Sequence, residues 1–303
     1  MRMHHYPISC LGLFVLWAVS AATEPREEAL KLNLRSRVQP FKGTQDWEEA
    51  AIAKELPARE TAIIICDMWD KHWCKGASAR VAEMAPRMNE VINELRKKGV
   101  LIIHCPSETM KFYADTPGRK MAQGAPAAAV KVPMKGWCSL ESVKEPPLPI
   151  DDSDGGCDDS PQCEQGSPWR REIATLEIMT GDAITDSSEA YNLMRQRGIT
   201  NVIIMGVHQN MCVLGRPFSI RQMVYQGQNV VLMRDMTDSM YNSRRSPMVD
   251  HFTGNDLMAW HIEKYWCPTI TSDQIVGGRP FRFAADTKPP RVFGTSALAQ
   301  SSN

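Results

Sequence analysis

The sequence has no excess of charge of either sign. Lysine and arginine together number 35, and aspartate and glutamate also number 35. Without a net field there is no general attraction to nucleic acid or to an anionic membrane, so neither is predicted as a partner. No internal repeat is visible. Hydrophobic residues make up 43% of the 303 positions, which is enough to bury one sizeable α/β core.

Long hydrophobic runs are missing except at the N-terminus. Residues 8–19 form an apolar run that follows Arg2 and two histidines and precedes the small residues 20–22. The run is too short to span a membrane, and its flanks are typical of a secretory signal. We therefore predict a signal peptide over residues 1–22 and a mature chain that is exported, periplasmic or secreted, without a membrane span. A cytosolic protein with an irregular N-terminus is the alternative.

The nine cysteines lack the spacing of a common metal site. There is no C-x-x-C pair and no close cysteine–histidine cluster, so a structural zinc is not predicted. In an oxidising compartment, Cys157 and Cys163 are the best local candidates for a disulfide. The acidic run over residues 151–159 lacks the ordered ligand spacing and the closing glutamate of an EF-hand. It predicts a solvated loop, with calcium binding as the alternative.

From residue 59 onward the pattern alternates strand and helix. Repeated βαβ units predict a three-layer α/β/α sandwich with a mainly parallel, Rossmann-like sheet of about six strands. The predicted strands are residues 61–66, 100–104, 175–179, 201–205, 229–233 and 268–271. Helices are predicted to begin at Pro86 and Asp186 and to cover residues 255–264. The predicted organisation is an N-terminal arm (23–58), one domain (59–275) with a long insertion (105–172), and a C-terminal tail (276–303).

One strand-to-helix junction predicts the site. The apolar run 202–205 ends at Gly206, crosses a short polar turn and reaches Cys212 where a helical stretch begins. Ligands bind at the carboxyl ends of strands in open α/β sheets, and a helix N-terminus favours a thiolate. Asp67 directly follows the first strand and would serve as the base that the thiol needs. Alternatively, Cys212 is a small buried hydrophobe and Asp67 caps a turn.

These segments resemble a known group of enzymes. Ile64-Ile-Cys-Asp67-Met and Gly206-Val-His-Gln-Asn-Met-Cys212-Val, with Arg195-Gln-Arg-Gly198-Ile before the latter, are similar to the isochorismatase-like cysteine hydrolase superfamily. That group includes nicotinamidases and N-carbamoylsarcosine amidases. The resemblance covers about residues 60–275 apart from the insertion. It implies a six-stranded parallel sheet between helices and hydrolysis of the C–N bond of a small amide.

The resemblance also implies roles for particular residues. Cys212 would attack the carbonyl and form a thioester, and Asp67 would take the thiol proton. A cis peptide bond is expected at Val207–His208. The backbone N–H groups of His208 and Cys212 would then bind the oxyanion.

The lysine of the family's catalytic triad has no counterpart in the expected place. The nearest position is Glu177, whose carboxylate would oppose a thiolate. A protonated Glu177 could donate to the substrate, or a lysine of the insertion, Lys131 or Lys135, could supply the charge. A third interpretation is a non-catalytic protein that binds small molecules on the same fold.

Two indoles and an imidazole follow Asp67. Trp69, His72 and Trp73 predict a pocket wall for a planar or cationic substrate, unless they only pack under the insertion. The predicted partner is a small-molecule substrate, and no cofactor is predicted. A metal-assisted hydrolase that uses His72 and His104 is an alternative. The sequence leaves open whether copies of the chain associate.

Overall fold

The computed structural model describes residues 28–289, apart from 42 and 45, together with residues 1 and 3. The signal-peptide prediction for residues 1–22 therefore lies outside the described residues, as does the end of the predicted tail. In the part of the chain that is described, no helix is both long and apolar enough to cross a membrane.

Eight strands form one sheet. They are β1 (Ala29–Val38), β2 (Glu48–Pro57), β3 (Thr61–Cys66), β4 (Leu101–Cys105), β5 (Ala183–Ile184), β6 (Asn201–Val207), β7 (Asn229–Asp238) and β8 (Thr269–Ile270). Their order is β2-β1-β8-β7-β6-β3-β4-β5. The six strands from β3 to β8 pair in parallel, and β1 pairs antiparallel with both of its neighbours. The predicted mainly parallel α/β sheet is confirmed.

Eight α-helices within the described residues flank or connect the strands. They are α1 (Lys75–Lys97), α2 (Met110–Tyr113), α3 (Pro117–Gln123), α4 (Glu189–Gln196), α5 (Cys212–Gly215), α6 (Ile220–Tyr225), α7 (His251–Tyr265) and α8 (Asp273–Val276). The prediction that a helix begins at Pro86 is wrong, because α1 begins at Lys75 and Pro86 lies inside it. The sulfur of Cys74 accepts a hydrogen bond from the backbone N–H of Ala77 and caps this earlier start.

The sheet divides the core into two layers. Every residue of β3 is buried, as expected for a central strand covered on both faces. Successive side chains of a strand point to opposite faces. Ile63 and Ile65 therefore pack with α1 on one face, whereas Ala62 and Ile64 pack with α4 and α7 on the other.

The segment predicted as a polar N-terminal arm is part of the sheet. β1 and β2 form an antiparallel hairpin that extends the sheet beyond β8. Leu30, Leu32 and Leu34 alternate along β1 and are buried. The Nε atom of Arg35 lies 2.6 Å from a carboxylate oxygen of Glu263, which ties the hairpin to α7.

The insertion of residues 105–172 returns to the end of the central strand. It holds α2 and α3 and is otherwise mostly irregular. At its end the backbone N–H of Ile173 donates to the Met68 carbonyl at 2.7 Å, and the N–H of Asp70 donates to the Arg171 carbonyl at 2.9 Å. These bonds place the end of the insertion beside the residues that follow Asp67.

Candidate active site

Asp67 and Cys212 meet at the carboxyl end of the sheet. β3 and β6 are parallel neighbours, so the residues that follow them share one edge. Asp67 is the first residue after β3 and has a positive φ of 48°. Cys212 is the first residue of α5. The thiol of Cys212 lies within hydrogen-bonding reach of the fully buried Asp67 carboxylate.

Arg216 supplies a cation that the sequence interpretation missed. Its Nε lies 3.3 Å from Oδ2 of Asp67, and the guanidinium is close enough to the Cys212 thiol to lower its pKa. The guanidinium lies 5.8 Å above the ring centre of Trp137 and pairs with Glu108 at 3.5 Å. Arg216 therefore contacts both members of the nucleophile–base pair from the turn that follows α5.

Before a substrate binds, burial and the nearby charges keep the proton on the sulfur of Cys212 rather than on Asp67. Burial and the Asp67 charge raise the pKa of the Cys212 thiol well above its usual value, and Arg216 opposes this. Burial also raises the pKa of Asp67, against the lowering effects of Arg216, the thiol and Ser107. The backbone N–H of Ser107 donates to Oδ1 of Asp67 at 2.8 Å. A protonated thiol facing a carboxylate is ready for general-base deprotonation as it attacks.

Two backbone donors are free beside the nucleophile. The Val207–His208 peptide bond is cis. Across the part of the chain that the structure describes, neither the His208 N–H nor the Cys212 N–H donates to an acceptor. A pair of unused backbone donors is what an oxyanion hole requires. Gly206 allows the end of β6 to lie against the end of β3, since a Cβ at this position would lie 2.0 Å from the Cys66 carbonyl oxygen.

Aromatic rings form a wall next to the site. Trp69 stacks on Trp169 of the insertion with ring centres 4.3 Å apart and planes 10° apart. His72 stacks on the same two indoles and contacts Trp73 at 5.2 Å. Trp169 was not identified from the sequence because only the return of the insertion brings it here. The ring of His208 meets that of His72 edge-on, with ring centres 5.1 Å apart. We call Trp69, His72, Trp73, Trp169 and His208 the aromatic wall.

The two imidazoles of the aromatic wall are neutral at neutral pH. Burial and the nearby Arg80 lower the pKa of His72 to about 4. Its Nδ1 accepts a hydrogen bond from the backbone N–H of Cys74 at 3.1 Å. Burial and the adjacent His72 also lower the pKa of His208. Nε2 of His208 is buried without a hydrogen-bond partner among the described residues.

Glu177 does not belong to this site, which corrects the sequence prediction. It is exposed and lies against α1, where its carboxylate accepts from the Asn93 side chain at 3.3 Å. Residues 175–179 form no strand, and the strand before α4 is the two-residue β5. Residues 173–179 are mostly apolar and therefore have the sequence pattern of a strand, but they lie outside the sheet, next to the end of the insertion.

The lysines considered as substitutes also lie elsewhere. Nζ of Lys135 pairs with Glu141 at 3.1 Å, and the Lys131 ammonium lies against Gly227.

His104, considered as a metal ligand, is buried between Glu172 at 2.7 Å and Asp182 at 3.5 Å. Although burial favours its neutral form, these carboxylates raise the pKa of His104 to about 9. His104 and His72 thus belong to separate clusters.

Comparisons with known proteins give similar solved structures only. No protein-family model and no curated protein matches the chain. A cysteine hydrolase from Pseudomonas syringae pv. phaseolicola 1448A is 15% identical, with a TM-score of 0.46, over 73% of this chain and 92% of that one. An isochorismatase from Pseudomonas putida KT2440 is 13% identical, with a TM-score of 0.44, over 72% and 91%. An N-carbamoylsarcosine amidase from Thermoplasma acidophilum is 11% identical, with a TM-score of 0.34, over 59% and 83%.

The acid limb of activity should reflect Asp67. Because burial raises the pKa of this carboxyl, we expect kcat/KM to fall with decreasing pH at a value above the ordinary aspartate pKa of about 3.9. The sign follows from the base role, since only the ionised carboxylate accepts the thiol proton. The measurement is a pH profile of kcat/KM. An acid limb at or below the ordinary value would contradict this assignment.

Proposed function

We propose that this chain is a cysteine hydrolase of the isochorismatase-like superfamily that cleaves the C–N bond of a small amide. The proposal rests on one observation above all, the contact of a single buried carboxylate, Asp67, with both the Cys212 thiol and the Arg216 guanidinium. This arrangement contains a nucleophile, a base and a cation. Arg216 takes the electrostatic role that the sequence left without a residue.

The reaction follows from these contacts. The Cys212 sulfur attacks the amide carbonyl and its proton moves to Asp67, so that a C–S bond forms. The N–H groups of His208 and Cys212 bind the oxyanion. When the intermediate collapses, the C–N bond breaks and the amine leaves with the proton from Asp67. Asp67 then takes a proton from water, which attacks the thioester and releases a carboxylic acid and the free thiol.

The aromatic wall favours a flat substrate. Trp69 and Trp169 present stacked indoles, and the imidazoles beside them carry no charge at neutral pH. Such a surface binds planar groups by stacking, and it binds cationic groups through the ring faces. We therefore expect small planar amides to be the best substrates.

We further propose that the mature chain is exported, on the basis of residues 1–22.

The non-catalytic alternative was motivated by a missing cation beside Cys212. Arg216 supplies this cation, so no observation now favours that alternative. A metal-assisted hydrolase is also less favoured, because His104 is enclosed by Glu172 and Asp182.

Acyl transfer to hydroxylamine tests the proposed function. The chain is incubated with a panel of small amides, and hydroxylamine is added to intercept a thioester as a hydroxamate. We expect hydroxamate to form with the wild-type protein, and intact mass after acid quench to show one acyl group on Cys212. Cys212→Ala should lose both signals, whereas Cys267→Ser, which alters a buried thiol near α7, should keep them. Turnover that persists in Cys212→Ala would disprove the proposal.

A further inference from the structure

Three cysteines meet around one carboxylate oxygen away from the catalytic thiol. Oδ2 of Asp159 lies 3.4 Å from the sulfur of Cys74, 3.5 Å from that of Cys157 and 3.2 Å from that of Cys163. One potential ligand atom from each of Cys74, Cys157 and Asp159 lies within 4.8 Å of the others. We call Cys74, Cys157, Cys163 and Asp159 the cysteine cluster. Cys74 precedes α1, and the other three belong to the insertion.

Backbone donors of α1 face the cysteine cluster. The first three N–H groups of this helix have no partner inside it. The N–H of Lys75 donates to the sulfur of Cys163, that of Gly76 to Oδ2 of Asp159 at 3.0 Å, and that of Ala77 to the sulfur of Cys74 at 3.4 Å. These donors and the positive end of the helix dipole stabilise anionic ligands. Similar outer hydrogen bonds orient the ligands of metal sites.

The surroundings suit a closed site. Cys74 and Cys157 are fully buried and pack with Ala77 and Met240. Arg80 lies close by and pairs with Asp158 at 2.8 Å. A guanidinium nearby offsets part of the negative charge that three thiolates and a carboxylate would bring.

We propose that Cys74, Cys157, Cys163 and Asp159 bind one zinc ion in a structural site. Three sulfur ligands select a thiophilic metal over calcium or magnesium, and four ligands are the number that structural zinc takes. On binding, the three thiols form Zn–S bonds and release their three protons to solvent. The predicted Cys157–Cys163 disulfide is absent from the structure, where both residues are free thiols. A disulfide would also leave one sulfur of the three unpaired.

The site would attach the insertion to the start of α1. Trp73 directly precedes Cys74 and packs against the cysteine cluster, so the metal would hold one end of the aromatic wall. The sequence did not indicate this site because Cys74 is far from the other ligands in the chain. The remaining ligands have the spacing C-x-D-x₃-C, which matches no common zinc motif.

Metal analysis of the full chain tests this site. We expect one zinc per chain by elemental analysis after exhaustive dialysis. A mercurial reagent should release this zinc, as measured with a colorimetric chelator. Cobalt substitution should give a sulfur-to-metal charge-transfer band. Cys163→Ser, at a half-buried ligand, should lose the zinc and the band, whereas Cys138→Ser, at a buried cysteine outside the cluster, should keep both.

Two outcomes would overturn the proposal. The first is the absence of zinc together with a Cys157–Cys163 or Cys74–Cys157 disulfide in non-reducing peptide mapping. The second is cobalt binding without a charge-transfer band, which would show that sulfur is not a ligand. Because Cys163→Ser leaves Cys212 unchanged, metal content and hydroxamate formation are read separately. A protein can therefore fail either test while passing the other.

Discussion

Replacing Asp67 by asparagine is expected to lower kcat by about 10³- to 10⁴-fold, as loss of the buried acid does in other nucleophile–base units. Asparagine keeps the oxygen that accepts from the Ser107 N–H. It cannot take the proton from Cys212, so the thiol would attack without a base. Turnover of a substrate from the amide panel measures this loss. Asp115→Asn, on the protein surface, is the matched control and should keep wild-type turnover.

The same substitution should make Cys212 more acidic, which a merely structural role of Asp67 would not produce. Burial raises the pKa of this thiol first, and the negative charge of Asp67 raises it further, while Arg216 lowers it. Removing the charge of Asp67 leaves burial as the main effect that raises this pKa and keeps the lowering effect of Arg216, so the thiol pKa falls. The pH dependence of chloroacetamide alkylation, followed by intact mass, reports this value. An unchanged alkylation profile, or wild-type turnover, would show that Asp67 and Cys212 do not act together.

The parts of the site that follow strand ends were predictable from the sequence. The apolar run of β3 and the run that ends at Gly206 locate Asp67 and Cys212, because parallel strands bring their carboxyl ends to one edge. The hairpin was missed although Leu30, Leu32 and Leu34 alternate in β1. Its second strand, β2, is mostly exposed, has four charged residues among its ten, and shows no such pattern.

Contacts that depend on the long insertion could not be predicted. Trp169 reaches Trp69 only because the chain returns beside Met68 and Asp70. The cysteine cluster likewise needs Cys74 from the start of α1 and three residues from the irregular insertion. Glu177 was misplaced for a related reason, since β5 is too short to leave a pattern and the apolar residues before it resembled a strand. Sequence periodicity carries no information on how an irregular segment folds back.

Arg216 is a different case, since a signal for it was present. It follows Cys212 by four residues, directly after the single helical turn α5, and side chains at that spacing on a helix lie on the same face. The sequence interpretation placed the cation either at the strand before α4, where the resemblance implied the family's lysine, or in the insertion, at Lys131 or Lys135. The same charge can come from another element as long as it reaches the carboxylate and the thiol. The four-residue spacing from Cys212 thus located the cation better than the position that the resemblance implied for the family's lysine.

Substituting Arg216 by alanine is expected to reduce kcat/KM by about 10²- to 10³-fold, the usual cost of one lost electrostatic contact in an active site. Without the guanidinium, only the hydrogen bonds of Ser107 and the thiol oppose burial at Asp67, so its pKa rises further and the acid limb of activity moves to higher pH. The Cys212 thiol loses the group that lowers its pKa. Both shifts weaken the nucleophile–base pair. A pH profile of kcat/KM for the variant measures the two effects together.

Arg216→Lys separates charge from geometry. Lysine restores the positive charge but lacks the planar fork that contacts Asp67 and Cys212 at once, so we expect partial rescue and an acid limb close to that of the wild type. Arg195→Ala, at an exposed position on α4, should change neither quantity. Urea unfolding should show that Arg216→Ala is less stable, because it leaves a buried carboxylate without its partner. If Arg216→Ala lost stability while kcat/KM and the acid limb stayed unchanged, Arg216 would support the fold without taking part in the reaction.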